Sequence, residues 1–200
     1  MTKQNAIQEL LGMSVFFEAQ SERYKSWGNV KVIQAVVKVE DFGYAITPLN
    51  FDLSKLKEGD ILFHETDKSL YQKLFSTRKK AQVILLTQQE FALQVSEEIP
   101  AILDDQAQLL GVSIRIAKTE SEVCKALKGR YAAILGNGNS ICIGENLEDA
   151  FVVAQLLEKT SKVFIQAKVL GGAKPINKIE AWFMQQYYLL KYSKEAEKNV

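Results

Sequence analysis

The stretch Tyr131-Ala132-Ala133-Ile134-Leu135-Gly136-Asn137-Gly138-Asn139-Ser140-Ile141-Cys142-Ile143 decides how the rest of the chain is read. Two apolar, strand-forming runs flank a Gly-Asn-Gly-Asn centre, which is the composition of two strands joined by a tight turn. A dinucleotide-binding fingerprint would need its third glycine at position 141 and a helix after it, so that backbone amides and the helix dipole meet the phosphates. Ile141 stands there and a strand follows. A hairpin turn, in which Asn and Gly tolerate positive φ, accounts for the same residues at lower cost. Downstream, Asn146 is placed to cap a long helix from Leu147 to about Val169. Upstream, Ser113–Ala117 alternates as a strand, and Thr119 with Glu122 has capping-box spacing for a helix running to Lys128.

Further outward the same alternation continues. Val83–Leu86 reads as a buried strand, and Pro100 is suited to the first turn of a helix through Leu110 that Gly111 ends. Ser69–Arg78 reads as a helix presenting Leu70, Tyr71, Leu74 and Phe75. Before it, Gly59-Asp60 opens a strand Ile61–His64, and Asp52–Leu56 is a short helical turn. Tyr44–Thr47 is a strand stopped by Pro48, and Val30–Val39 is one strand or two. Ala6–Arg23 places Ile7, Leu10, Leu11 and Val15 at helical spacing, with polar residues opposite. A loop at Gly171–Pro175 precedes a last helix, Lys178–Tyr192, whose Trp182, Phe183, Tyr187 and Tyr188 suit packing or a subunit contact better than a ligand cage. No linker, repeat or composition shift divides residues 1–200, so the reading is one α/β domain.

Composition narrows the function. With 25 basic and 24 acidic residues the net charge is +1, which offers no global field for nucleic acid or for an anionic membrane. No apolar run reaches the roughly 18 residues that span a bilayer, and the N-terminus shows no small-residue cleavage site. Cys124 and Cys142 lie in unrelated segments, which suits reduced thiols in the cytoplasm. The chain holds a single histidine, His64, and this excludes a histidine triad or a metal held by several imidazoles. His64, Cys124 and Cys142 show none of the spacings of a zinc site. The basic run Arg78-Lys79-Lys80 reads as a solvated helix end. His64-Glu65-Thr66-Asp67 has two readings: Thr66 or Asp67 caps the following helix, or a carboxylate at the strand end faces a cleft as a base.

Taken in order, several segments resemble the class II aldolase and adducin head family. They begin at Gly28-Asn29-Val30 and continue through Tyr44-Ala45-Ile46-Thr47-Pro48 and Leu56-Lys57-Glu58-Gly59-Asp60-Ile61. The resemblance is strongest in Leu103-Asp104-Asp105-Gln106-Ala107-Gln108-Leu109-Leu110-Gly111 and from Ala133 through Gly138 to Gly144-Glu145-Asn146-Leu147-Glu148-Asp149-Ala150-Phe151. It covers about residues 6 to 190. The order and spacing carry it, since no single piece is diagnostic. It implies a three-layer α/β/α fold around a mixed, largely antiparallel sheet, often assembled as a cyclic tetramer with clefts between subunits. Active members bind a divalent metal, usually zinc, which stabilises an enediolate beside a ketose phosphate while a glutamate moves protons.

By the same resemblance the family's His-x-His pair falls on Leu86-Thr87-Gln88 and its third histidine on Gly138. The glutamate of its Ser-Ser-Glu step falls on Asp67, with Glu65 and Thr66 in place of the serines. Asn29 and Thr47 match the phosphate side, and Thr66 keeps a hydroxyl. The expectation is a family member without zinc or other cofactor, acting as a binding or oligomeric scaffold module with no catalytic residue. Its ligand-binding set would be Asn29, Thr47, Thr66, Asp67, Gln88 and Asn137, with the Leu86–Gln88, Gly136–Asn139 and Glu65–Asp67 segments converging on one cleft. Glu65 would repel a phosphate there, favouring a neutral or cationic small molecule. The alternative is an aldolase-like lyase or isomerase acting on a small sugar phosphate or keto acid, with Asp67 or Glu65 as base.

Overall fold

Val83-Ile84-Leu85-Leu86 forms the first part of strand β4 (Val83–Gln89), which is apolar toward both faces and then turns polar at Thr87-Gln88-Gln89. A strand buried on both faces belongs in the middle of a sheet covered on both sides, and that is its place. The computed structural model describes residues 1–66 and 69–198, with side chains described through residue 191. Its strands are β1 (Val30–Val39), β2 (Gly43–Ile46), β3 (Leu62–Glu65), β4, β5 (Ile99–Pro100), β6 (Ser113–Ala117), β7 (Ala132–Leu135) and β8 (Ser140–Gly144). They form an eight-stranded sheet in the order β3-β2-β1-β4-β8-β7-β6-β5. Every pair is antiparallel except β6 with β7.

Helices α1 (Lys3–Arg23) and α5 (Leu147–Val169) cover one face, where Leu10, Met13, Phe17, Phe151 and Leu157 pack on Val37, Val83 and Leu85. Helices α2 (Leu70–Thr77) and α4 (Glu120–Ala126) cover the other, with Leu74, Phe75, Val123 and Leu127 on Val36, Ile84 and Ile141. Helices α3 (Asp104–Leu109) and α6 (Lys178–Lys198) pack together around Ala101, Ala107 and Ala181. The fold is the three-layer α/β/α arrangement around a mixed, largely antiparallel sheet. No helix among the described residues is long and apolar enough to cross a membrane.

Several local expectations are corrected. On α1, Ile7 and Leu10 are buried as read, but Leu11 and Val15 face solvent, Val15 at 74% exposure, and Ala6, Met13 and Phe17 complete the stripe. Both stripes have helical period; the stacking of Phe17 on Phe151, at 4.7 Å between centroids, selects one. Pro100 does not start a helix. It lies in β5 at the sheet edge, where a missing N–H costs nothing, and Gln106 closes the turn to α3 by accepting from Ile102 N (2.9 Å) and donating to Pro100 O (3.0 Å). Gly111, at φ +98°, follows α3 as expected.

Ser69, not Thr66 or Asp67, caps α2: its Oγ accepts from Gln72 N at 3.3 Å. Asp67 lies outside the described residues. The expected box does not form at α4: the Glu122 carboxylate accepts from Lys118 N, one residue before the Thr119 N-cap, at 2.8 Å, while Thr119 Oγ1 meets Ser121 Oγ. Asn146 caps α5 as read, accepting from Asp149 N at 2.8 Å. Both cysteines are free. Burial within β8 pushes the Cys142 thiol up to about 12, so it stays protonated.

Candidate functional site

The polar turn of β4 coincides with the start of β1. Lys31 pairs with Gln88 and Val30 with Gln89, so Asn29, Lys31, Gln88 and Glu90 gather where these two strands meet. The β7–β8 turn arrives at the same end of the sheet because Ser140 pairs with Thr87. Leu135 N donates to Asn139 O at 2.7 Å, Asn139 N donates to Asn137 Oδ1 at 3.1 Å, and Gly138 takes φ +83°. A tight turn in this left-handed region is what Asn-Gly supplies at least cost. These segments, with Ser21 of α1, Leu93 and Gln155 of α5, line an open cleft of about 460 Å³.

Glu158 holds the walls of this cleft in place. It is fully buried on α5, and its carboxylate accepts from Phe91 N at 2.9 and 3.1 Å and from Ala92 N at 3.0 Å. Gly28, at φ +134°, lies directly over it; a Cβ there would stand 2.6 Å from Glu158 Cγ. Burial raises the Glu158 carboxyl above the usual carboxylate range, and the backbone donors offset part of that rise. Lys159 Nζ sits 4.6 Å from the Trp27 ring centre and pairs with Asp105, while Lys162 donates to Ser26 O at 3.2 Å. The segment from Ser26 to Asn29 is thereby clamped onto α5. At the cleft rim Asn29 Nδ2 donates to Glu90 Oε2 at 3.4 Å.

Of the expected ligand set, Asn29, Gln88 and Asn137 meet in the cleft. Thr47 is buried and serves the sheet instead: its Oγ1 accepts from Ala35 N and its carbonyl from Gln34 Nε2, each at 3.0 Å. Thr66 bonds to Phe42 O through its N (2.9 Å) and Oγ1 (3.2 Å). Glu65 pairs with Gly43, which pairs with Val39. Eight residues of β1 separate Val39 from Lys31, about 26 Å at a strand's rise.

Glu65 and Thr66 therefore lie away from the Lys31 end of β1, Asp67 lies outside the described residues, and the carboxylate lining the cleft belongs to Glu90. The cause is strand register: β3 pairs with β2 so that Glu65 stands opposite Gly43, at the Val39 end of β1. Glu158, Glu90, Lys31 and Gln155 carry no motif. The available signal was an acid on the apolar stripe Leu147-Phe151-Ala154-Glu158, which has helical spacing.

The cleft does not fit a zinc ion. Where the resemblance places imidazoles stand Leu86, partly buried against the α2/α4 core, Gln88, and Gly138 in its left-handed turn. The surrounding polar groups are carboxamides, the Ser21 hydroxyl, the Lys31 ammonium and the single carboxylate of Glu90, whereas zinc sites use imidazole, thiolate and carboxylate ligands. Among the described residues no three His, Cys, Asp or Glu side chains are grouped to hold a metal.

The family profile described as class II aldolase and adducin N-terminal domain matches residues 23–165. Among solved structures the chain is similar to an L-fuculose 1-phosphate aldolase, at TM-score 0.76 and 22% identity over 94% of this chain and 98% of that one. It is similar to a putative aldolase/epimerase/decarboxylase from Klebsiella pneumoniae (TM-score 0.63, 13% identity, 90% and 98% coverage). An L-fuculose-1-phosphate aldolase from Thermus thermophilus aligns at TM-score 0.62 and 15% identity over 82% and 98% of the two chains. At these identities the likeness is one of fold. No curated protein matches the chain.

Proposed function

The chain belongs to the class II aldolase and adducin N-terminal domain family, and from that premise we propose that it is a metal-free, non-catalytic member that binds a small molecule in the Asn29–Gln88–Asn137 cleft. The donor set of that cleft carries the reading. Aldol cleavage needs an electrophile to stabilise an enediolate, a contribution of several kcal/mol, and carboxamides supply none. Of the candidate bases Glu65 lies at the Val39 end of β1 and Asp67 lies outside the described residues, while the buried Glu158 spends its carboxylate on two backbone amides. What remains is a walled, hydrogen-bonding cleft on a rigid sheet end. Two free thiols suit a reducing compartment such as the cytoplasm.

Elemental analysis of protein purified without chelator is expected to find no stoichiometric zinc, and L-fuculose 1-phosphate is expected to remain uncleaved with zinc added. About one tightly held zinc per chain, or zinc-dependent cleavage, would overturn the reading.

Self-association forms the second part of the proposal. Helix α6 packs inward through Ala181 and Gln185 and turns Ile179, Trp182, Phe183, Tyr187 and Leu190 outward, at 49–72% exposure. A continuous stripe of this kind exceeds the scattered apolar exposure of monomers. Light scattering is expected to show a homo-oligomer that Phe183→Glu dissociates; a wild-type monomer at micromolar concentration would refute this.

A further inference from the structure

Resting on that binding-module reading, we infer that the cleft takes an uncharged polyhydroxylated molecule, a polyol or sugar without phosphate. Six of its lining residues carry carboxamides: Asn29, Gln88, Gln89, Asn137, Asn139 and Gln155. Each presents two N–H donors and one acceptor oxygen, and a hydroxyl presents one donor and two lone pairs, so a vicinal diol can satisfy both ends of an amide at once. The two charged residues of the lining, Lys31 and Glu90, cancel. No net field favours an anion or a cation.

Gln155 adds direction. It lines the cleft at 1% exposure, and its Oε1 is buried with no hydrogen-bond partner among the described residues. Most buried acceptors in native proteins are paired, so Gln155 Oε1, like Gln89 Oε1 in the same lining, is open to a ligand donor. A hydroxyl provides it. A phosphate dianion or a carboxylate offers only acceptors. A cleft of about 460 Å³ lies within the usual range for small-molecule sites. Glu65, which sequence order brought to this cleft, is not among its lining residues, and discrimination lies with Gln155.

The test is calorimetric titration of the full chain with ribitol, xylitol and glucitol, set against ribose 5-phosphate and ribonate. At least one polyol is expected to bind, with both anions at least about tenfold weaker. Gln155→Leu is expected to lower polyol affinity about tenfold or more. Because Gln155 is buried, Gln88→Leu at the exposed strand end serves as the second variant, with the same direction of loss and an unchanged melting temperature. Anion binding as tight as polyol binding, no polyol binding at all, or full affinity in both variants overturns the inference. Tight ribose 5-phosphate binding in zinc-free protein would overturn this inference alone. The same binding accompanied by stoichiometric zinc would overturn the metal-free reading too.

Discussion

Glu158→Ala is expected to lower the unfolding free energy by about 3–5 kcal/mol in denaturant titration. Truncation leaves the Phe91 and Ala92 amides without an acceptor beneath the cleft floor, and an orphaned buried donor costs about 1–3 kcal/mol. The void left by the removed atoms adds to that. Glu158→Gln retains one acceptor oxygen and should cost less. It also separates charge from shape. The folded protein holds the Glu158 carboxyl above its ordinary value of 4.5, so the folded state binds this proton more tightly than the unfolded chain does. Stability from this group is full below about pH 4.5 and is lost as pH rises through the raised value. Stability of the wild type relative to Glu158→Gln should therefore fall with rising pH across that window. Parallel pH profiles would show that Glu158 is not desolvated, and a loss below about 1 kcal/mol in Glu158→Ala would show that its hydrogen bonds are dispensable.

Gly144→Ala is expected to cost about 3 kcal/mol through one added methyl group. Gly144 ends β8 against the first turn of α5, and a Cβ there would stand 2.3 Å from Ala150 N, 2.6 Å from Asn146 O and 2.8 Å from Ala150 Cα. All three are backbone atoms, so no side-chain rotation relieves the clash, and α5 must move away from the sheet. The φ angle at this position is not positive, so the cost is steric and not conformational. Gly59→Ala is the control: nothing lies within 4 Å of its added Cβ, and a change within about 0.5 kcal/mol is expected. Equal stabilities of the two variants would mean that α5 does not approach β8 this closely.

How far the residues disclose the molecule depends on how local each feature is. The β7–β8 hairpin and the Asn146 cap are legible because their determinants lie within a few positions of one another. The α1 stripe is not, since two sets of apolar positions share one period and the choice belongs to Phe151, far away in sequence. Pro100 suits a helix start by local rules, but a nonlocal pairing of Ile99 with Ile114 makes it an edge strand. For the site, motif order brings Asn29, Gln88 and Asn137 together, and all three line the cleft. It also assigns Glu65, Thr66 and Asp67 to that place by alignment with a motif. The pairing of β3 with β2, and the bonds of Thr66 to Phe42 O, place Glu65 and Thr66 at the Val39 end of β1, and that nonlocal register is not written in the motif. Glu158 was visible as an acid interrupting an apolar helical stripe, the ordinary mark of a buried carboxylate with backbone partners.

The two margins of the sheet bear on how copies of this chain meet. An unpaired strand edge is a template on which another strand can add, and long, flat, apolar edges lead to aggregation. One margin here is β5, two residues long and ending in Pro100, which has no amide hydrogen to offer. The other is β3, four residues whose exposed side chains include His64 and Glu65. Both edges are short, which disfavours strand addition from one molecule to the next. Ordered assembly then falls to side-chain surfaces, which can close into a finite ring instead of propagating.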